Sequence, residues 1–183
     1  MSSRYQEVEL TRACEAIAIP YGTPITLEAG IKVVITQTLG SFTVMNEFGQ
    51  MARIDREDAD ALGVELPPEE KGAGADDENL SLQERVMNQM KTCYDPEIPV
   101  NIVELGLIYR CDVHEIVPGD YRVEVDMTLT APGCGMGDVI RYDVERKIKK
   151  LSGVVEVDVQ LTFEPPWTAE RMTEEARLDL GMM

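Results

Sequence analysis

Val123-Glu124-Val125-Asp126-Met127-Thr128-Leu129, running into Thr130-Ala131-Pro132-Gly133-Cys134-Gly135-Met136-Gly137, is the stretch on which the fold turns. Its first half alternates apolar and polar residues, the period of a strand with one face in a core. Beyond Pro132 the apolar residues recur at helical spacing, as Met136, Ile140, Val144, Ile148 and Leu151. A strand therefore hands over to a helix across a glycine-rich turn, and Cys134 stands at the start of that helix. Asp138 near its beginning and Lys147, Lys149 and Lys150 near its end suit the helix dipole, and Gly153 stops it.

Upstream, Leu107 to Val117 reads as a strand and Pro118-Gly119-Asp120 as the turn of a hairpin. Further back, Ser81-Leu82-Gln83-Glu84 spells a capping box, with Leu82, Val86, Met90 and Cys93 forming one apolar stripe that ends before Asp95-Pro96. Downstream, Val155, Val157, Val159 and Leu161 alternate with Glu156, Asp158 and Gln160 as a third strand. Pro165-Pro166-Trp167 makes a rigid turn, and Thr168 is the expected N-cap of a last short helix reaching about Leu180. The order α-β-β-α-β-α gives an α+β domain over residues 80–183.

Residues 1–64 read as a small β-rich domain, a barrel or a curled sheet. Its strands are Pro24 to Leu27, Ile31 to Leu39, Phe42 to Met45 and a run through Ile54, with a turn at Asn46 to Gly49. Asp55 can cap a short helix running to Leu62, where Gly63 stops it. Between the two domains, residues 65–79 carry Pro67-Pro68, Glu69-Glu70, Gly72, Gly74 and Asp76-Asp77-Glu78. Little there can be buried and like charges extend the chain, so these residues are expected to be a flexible acidic linker.

The 183 residues carry a formal net charge of −17, spread over both halves: 15 acidic against 6 basic residues up to Leu80, and 19 against 11 beyond it. Phosphate backbones and anionic lipids are bound by Lys and Arg, so nucleic acid and membrane surfaces are excluded as partners. The N-terminus lacks a signal-peptide apolar run and no stretch has 18 consecutive apolar residues, which points to the cytoplasm and to reduced thiols. Cys14, Cys93, Cys111 and Cys134 form no CxxC pair, and His114 is the only histidine, so no zinc site of the usual spacing is written here.

Cys134 is the residue with the clearest chemical opportunity. At a helix start, unpaired N–H groups and the dipole favour a thiolate, and the flanking glycines leave the sulfur approachable. A free cysteine in a tight turn is as often a small buried hydrophobe, and local context alone does not choose. Cys93 on its apolar stripe and Cys111 within a strand read as core, and His114 as a surface strand residue. Asp95-Pro96-Glu97-Ile98-Pro99 sets two carboxylates between prolines that stiffen the loop, able to hold a metal, to meet a partner or simply to make a solvated turn.

Asp95 to Ile108, Thr130-Ala131-Pro132-Gly133-Cys134, Pro165-Pro166-Trp167-Thr168 and Glu174-Glu175-Ala176-Arg177, in that order, resemble the iron–sulfur cluster assembly domain shared by the SufT and PaaD proteins and a eukaryotic cytosolic assembly factor. The β-rich N-terminal part, with Ile19-Pro20-Tyr21-Gly22, resembles the extension of the longer SufT proteins. Gly135 stands where many relatives have proline, and Glu164 where they often have aspartate. The resemblance implies a non-catalytic maturation factor in which Cys134 is the functional thiol and ligand, with Asp95, Pro96, Glu97 and Pro99 as the motif loop. It implies no permanently bound cofactor but transient iron or cluster, since one thiol cannot supply the four ligands a cluster takes. The implied partners are Fe-S carrier or scaffold proteins and client apoproteins, with self-association left open. A pure adaptor with an incidental thiol and a thiol enzyme are the competing readings, and the absence of an obvious base counts against the enzyme.

Overall fold

In the computed structural model, which describes residues 6–66, 77–95, 98–133 and 135–182, helix and sheet are both present and the chain divides into two compact units, 1–72 and 73–183. Most of the 65–79 stretch lies outside the described residues. None of the helices described is long and apolar enough to cross a membrane.

The first unit is a six-stranded antiparallel sheet. Its strands are β1 (Gln6–Glu9), β2 (Cys14–Ile19), β3 (Pro24–Leu27), β4 (Lys32–Gln37), β5 (Ser41–Asn46) and β6 (Met51–Asp55), in the spatial order β1-β4-β5-β6-β2-β3. Val33, Ile35, Phe42, Val44, Ile54 and Ala16 close one core between them. The sequence pattern reveals β3 to β6 but not β1 and β2. In β2 the inward positions are Cys14 and Ala16, too small to announce a strand, and β1 is a mostly polar edge. A 3-10 helix (Arg56–Leu62) follows as expected, its first turn capped by the Asp55 carboxylate accepting from the Glu57 amide and its end set by Gly63 at φ 68°.

The second unit runs α1 (Leu82–Met90), β7 (Ile108–Val117), β8 (Asp120–Met127), α2 (Gly137–Lys149), β9 (Val154–Leu161), a 3-10 turn (Ala169–Arg171) and α3 (Glu174–Asp179). Both halves of the Ser81/Glu84 capping box form. The sheet order is β7-β8-β9, with β7 and β8 an antiparallel hairpin and β8 and β9 parallel through α2. Val123, Val125 and Met127 point into one core with Val86 and Met90 of α1 and Ile140, Val144 and Ile148 of α2. Fully burying each such side chain contributes about 1.5–3 kcal/mol.

Three local expectations are corrected. First, α2 begins at Gly137, not at Cys134; Gly135, just ahead of it, is a poor helix former, and a Cβ at Gly137 would press on the end of the Leu129 side chain, 2.8 Å from Cδ1. Second, the alternation in β9 starts one residue late. Tyr121 pairs with Val154 and Arg122 with Glu156, so Val155 is the extra residue of a bulge and is 49% exposed while Val154 takes the core position. Third, Thr168 precedes only the 3-10 turn and makes no capping bond; the cap of α3 is Thr173, whose hydroxyl accepts from the Ala176 amide.

Candidate functional site

Asp95 sits at the entrance of a loop that is wound tightly on itself. Its carboxylate accepts from the Ile98 amide (3.0 Å) and the residue is buried, 4% exposed. The Ile102 amide donates to Cys93 O at 2.9 Å, and Tyr94 and Asn101 form a β-bridge. Asn101 holds the next turn, its side-chain oxygen accepting from the amides of Val103 (3.0 Å) and Glu104 (2.9 Å). Pro99 is exposed at the loop tip. Pro96, Glu97 and Cys134 lie outside the described residues.

The C-terminal segment clasps the same loop. Trp167 Nε1 donates to Leu105 O at 2.7 Å, the Thr173 amide to Glu104 O at 2.9 Å, and the Tyr109 hydroxyl to Pro165 O at 2.6 Å. The Arg171 guanidinium lies over the Tyr109 ring, 4.0 Å from its centre. The roles of Asn101, Trp167, Tyr109 and Arg171 were not read from the sequence. Only Asn101 carries a local signal, an Asx turn; the others depend on residues more than fifty positions away.

On either side of Cys134 in the sequence, Ala131, Pro132, Gly133 and Gly135 are exposed. Gly133 adopts φ +77° with open space around its Cα, so a side chain there would be strained by the backbone alone. Met136, the N-cap of α2, provides no side-chain bond to the first helical amides. Asp138 is the acidic residue of the first turn, and Arg146, Lys147 and Lys149 are the basic ones of the last.

The other three thiols are withdrawn from chemistry. Cys93 is fully buried, its Sγ 3.8 Å from Gln89 O, and Cys14 is buried with its thiol pushed up chiefly by that burial. Cys111 is partly buried in β7, and desolvation lifts its pKa to about 11 against a smaller opposing hydrogen bond from Gln83. The raised value keeps this thiol protonated until the pH approaches 11. At pH 8 Cys111 is therefore expected to alkylate on the order of a hundredfold more slowly than a free thiol. Mass-spectrometric mapping of alkylation across pH checks this: rapid labelling of Cys111 or Cys93 in the folded protein would contradict the burial described.

One further group has ligand chemistry. Asp112, His114 and Glu124, on β7 and β8, bring three ligating atoms within 4.8 Å of one another. Arg110 Nη1 lies 3.0 Å from Asp112 and Arg122 Nη2 3.0 Å from Glu124, while His114 Nε2 is 3.4 Å from the same glutamate. A guanidinium group already lies against each of the two carboxylates, and a metal would compete with it.

A family model described as Iron-sulfur cluster assembly protein matches residues 83–159, wholly within the second unit. An Fe-S protein maturation auxiliary factor of Porphyromonas gingivalis is 47% identical over 106 residues, covering 58% of this chain and 97% of that protein. The chain belongs to the iron–sulfur cluster assembly family. Within that family it is also similar to the Fe-S protein maturation auxiliary factor YitW of Bacillus subtilis, 34% identical over 102 residues and covering 56% of this chain and 96% of YitW. The auxiliary factor SufT of Staphylococcus aureus is 35% identical over 88 residues, covering 48% of this chain and 96% of SufT. These three relatives are thus matched along almost their whole length by about half of this chain. The six-stranded sheet lies outside the stretch that the family model matches.

Proposed function

We propose that this chain is a non-catalytic maturation factor for iron–sulfur cluster proteins, acting in cluster assembly or delivery through Cys134 and the loop from Asp95 to Pro99. One observation carries the reading: a maturation auxiliary factor is matched over 97% of its length at 47% identity. Two features of the chain support the assignment of the thiol. Cys14, Cys93 and Cys111 are buried or held protonated, and the residues flanking Cys134 are exposed ahead of an uncapped helix. Iron or a cluster is cargo in this reading, held transiently, because one thiol falls short of the ligands a cluster requires. The partners are carrier or scaffold proteins that bring the cluster and the apoproteins that take it.

The same proposal treats 1–64 and 80–183 as two domains joined by 65–79, with the maturation chemistry in the second. A thiol-enzyme mechanism finds no support in His114, whose imidazole is turned to Glu124. The deciding experiment is cluster content and activity of client enzymes in cells lacking the protein, complemented by wild type or by Cys134→Ser. Wild type is expected to restore both and Cys134→Ser neither, at equal protein level. Full rescue by the serine variant would make the chain an adaptor with an incidental thiol.

A further inference from the structure

The outer face of the three-stranded sheet is a grid of charge. Arg110 pairs with Asp126, Asp112 with Glu124 and His114 with Arg122 across β7 and β8, and Arg122, Glu124 and Asp126 pair with Glu156, Asp158 and Gln160 across β8 and β9. Residues directly opposite in adjacent strands share a face. Five carboxylates, Asp112, Glu124, Asp126, Glu156 and Asp158, thus stand among two guanidinium groups, a net of −3 with His114 neutral. Arg110 and Arg122 serve the β8 acids first, at 2.7 Å from Asp126 and 3.0 Å from Glu124; Arg122 reaches Glu156 and Asp158 only at 3.4 and 3.7 Å. The negative charge is least compensated along β9.

β9 is also the open edge of that sheet. Between Val155 and Leu161 its backbone bonds only to β8 among the described residues. The opposite edge, β7, is blunted by register shifts near both ends and by Gln83, whose side chain donates to Cys111 O at 3.0 Å. On the inner face, Val157 and Leu161 are half-buried where their β8 partners Val123 and Met127 are fully buried, so apolar surface is left uncovered beside the edge.

We infer that β9 is a docking edge for an extended segment of a partner protein in which Lys or Arg alternates with apolar residues. Such a segment adds a fourth strand. Its basic side chains fall beside Glu156 and Asp158 on the outer face, and its apolar side chains cover Val157 and Leu161 on the inner one. A second copy of this chain is the poorer occupant, because it would bring the same acidic rows beside each other in a protein already at −17. This surface is independent of Cys134 and of the reading built on it.

The test uses the full chain and a nine-residue peptide alternating Lys and Val, followed by amide hydrogen exchange resolved along the sequence. Alternate amides between Val155 and Leu161 are expected to exchange at least about tenfold more slowly with peptide bound, those of β7 to be unchanged, and the effect to weaken with salt. Glu156→Lys together with Asp158→Lys, both surface positions, should abolish the protection. A peptide of the same charge with proline in place of valine cannot join a ladder and should protect nothing. Three results would overturn the assignment: equal binding of the proline peptide, protection at β7 instead, or β9 protection that grows with protein concentration in the absence of peptide.

Discussion

Replacing Gly106 by alanine is expected to lower the stability of the second unit by about 3–5 kcal/mol, among the largest effects of any single substitution in the chain. Gly106 has φ +72°, and a Cβ there would lie 2.2 Å from the Arg171 carbonyl oxygen and 2.7 Å from its carbon. Left-handed backbone alone costs a non-glycine residue about 1–2 kcal/mol. The overlap adds to this because the obstacle is backbone and cannot rotate away. Arg171 is fixed from both sides, by its own amide bonded to Thr168 O and by the Thr173 amide bonded to Glu104 O, and its side chain lies on Tyr109. Relief of the clash would have to loosen the clasp that holds the loop following Asp95. Gly119→Ala is the control, since φ is +89° but nothing lies within 4 Å. Urea unfolding of the two variants separates the contributions: Gly119→Ala should show only the backbone cost, and equal midpoints for the two would refute the packing argument.

Lys147→Met is expected to cost a comparable amount, about 3–5 kcal/mol, for an electrostatic reason. Lys147 and Asp143 lie one turn apart on α2 with both side chains 7% exposed and Nζ 3.5 Å from Oδ2. The ammonium also donates to Thr92 O at 2.9 Å, joining α2 to the turn after α1. Asp143 Oδ2 is buried and accepts no hydrogen bond, so removing the cation strands a carboxylate with no donor at that oxygen. Asp143→Asn in the same background should recover part of the loss, giving a coupling of up to about 3 kcal/mol in a double-mutant cycle. The exposed pair Asp138 and Arg141, also 3.5 Å apart, sets the scale for a surface interaction and should yield less than about 1 kcal/mol. Additive effects of the Asp143 and Lys147 substitutions would show that the pair is not a unit.

The glycine and the lysine were legible to different degrees. Lys147 was read from the sequence as a dipole-complementing residue at the end of a helix, which it is; that it is buried and bonded to Thr92 depends on how α1 packs on α2. That position 106 must be glycine is not legible in the sequence, because the requirement comes from Arg171, far along the chain. Asp95 shows the same division. Its place before Pro96 marks it as a loop residue, but that its side chain is buried and bonded to the Ile98 amide shows only in the folded chain. The resemblance to the iron–sulfur cluster assembly family rested on short runs of residues in order, and the family was legible from them without any knowledge of contacts.

What the sequence determined by itself is the set of properties carried by neighbours in the chain. Period-two alternation marked β8 and, apart from its first residue, β9; helical spacing marked α1 and α2; Ser81 with Glu84 and Asp55 with Gly63 marked helix ends. These signals are local because strand pleat and helix turn repeat within a few residues. Only the tertiary structure decided where the alternation slips at Val155, which carboxylates along β7, β8 and β9 share a face, and how strongly each thiol is desolvated. Each of those outcomes depends on a partner brought near by folding, and the free energy that selects it, in burial, hydrogen bonding or close backbone approach, exists only once the distant segments meet.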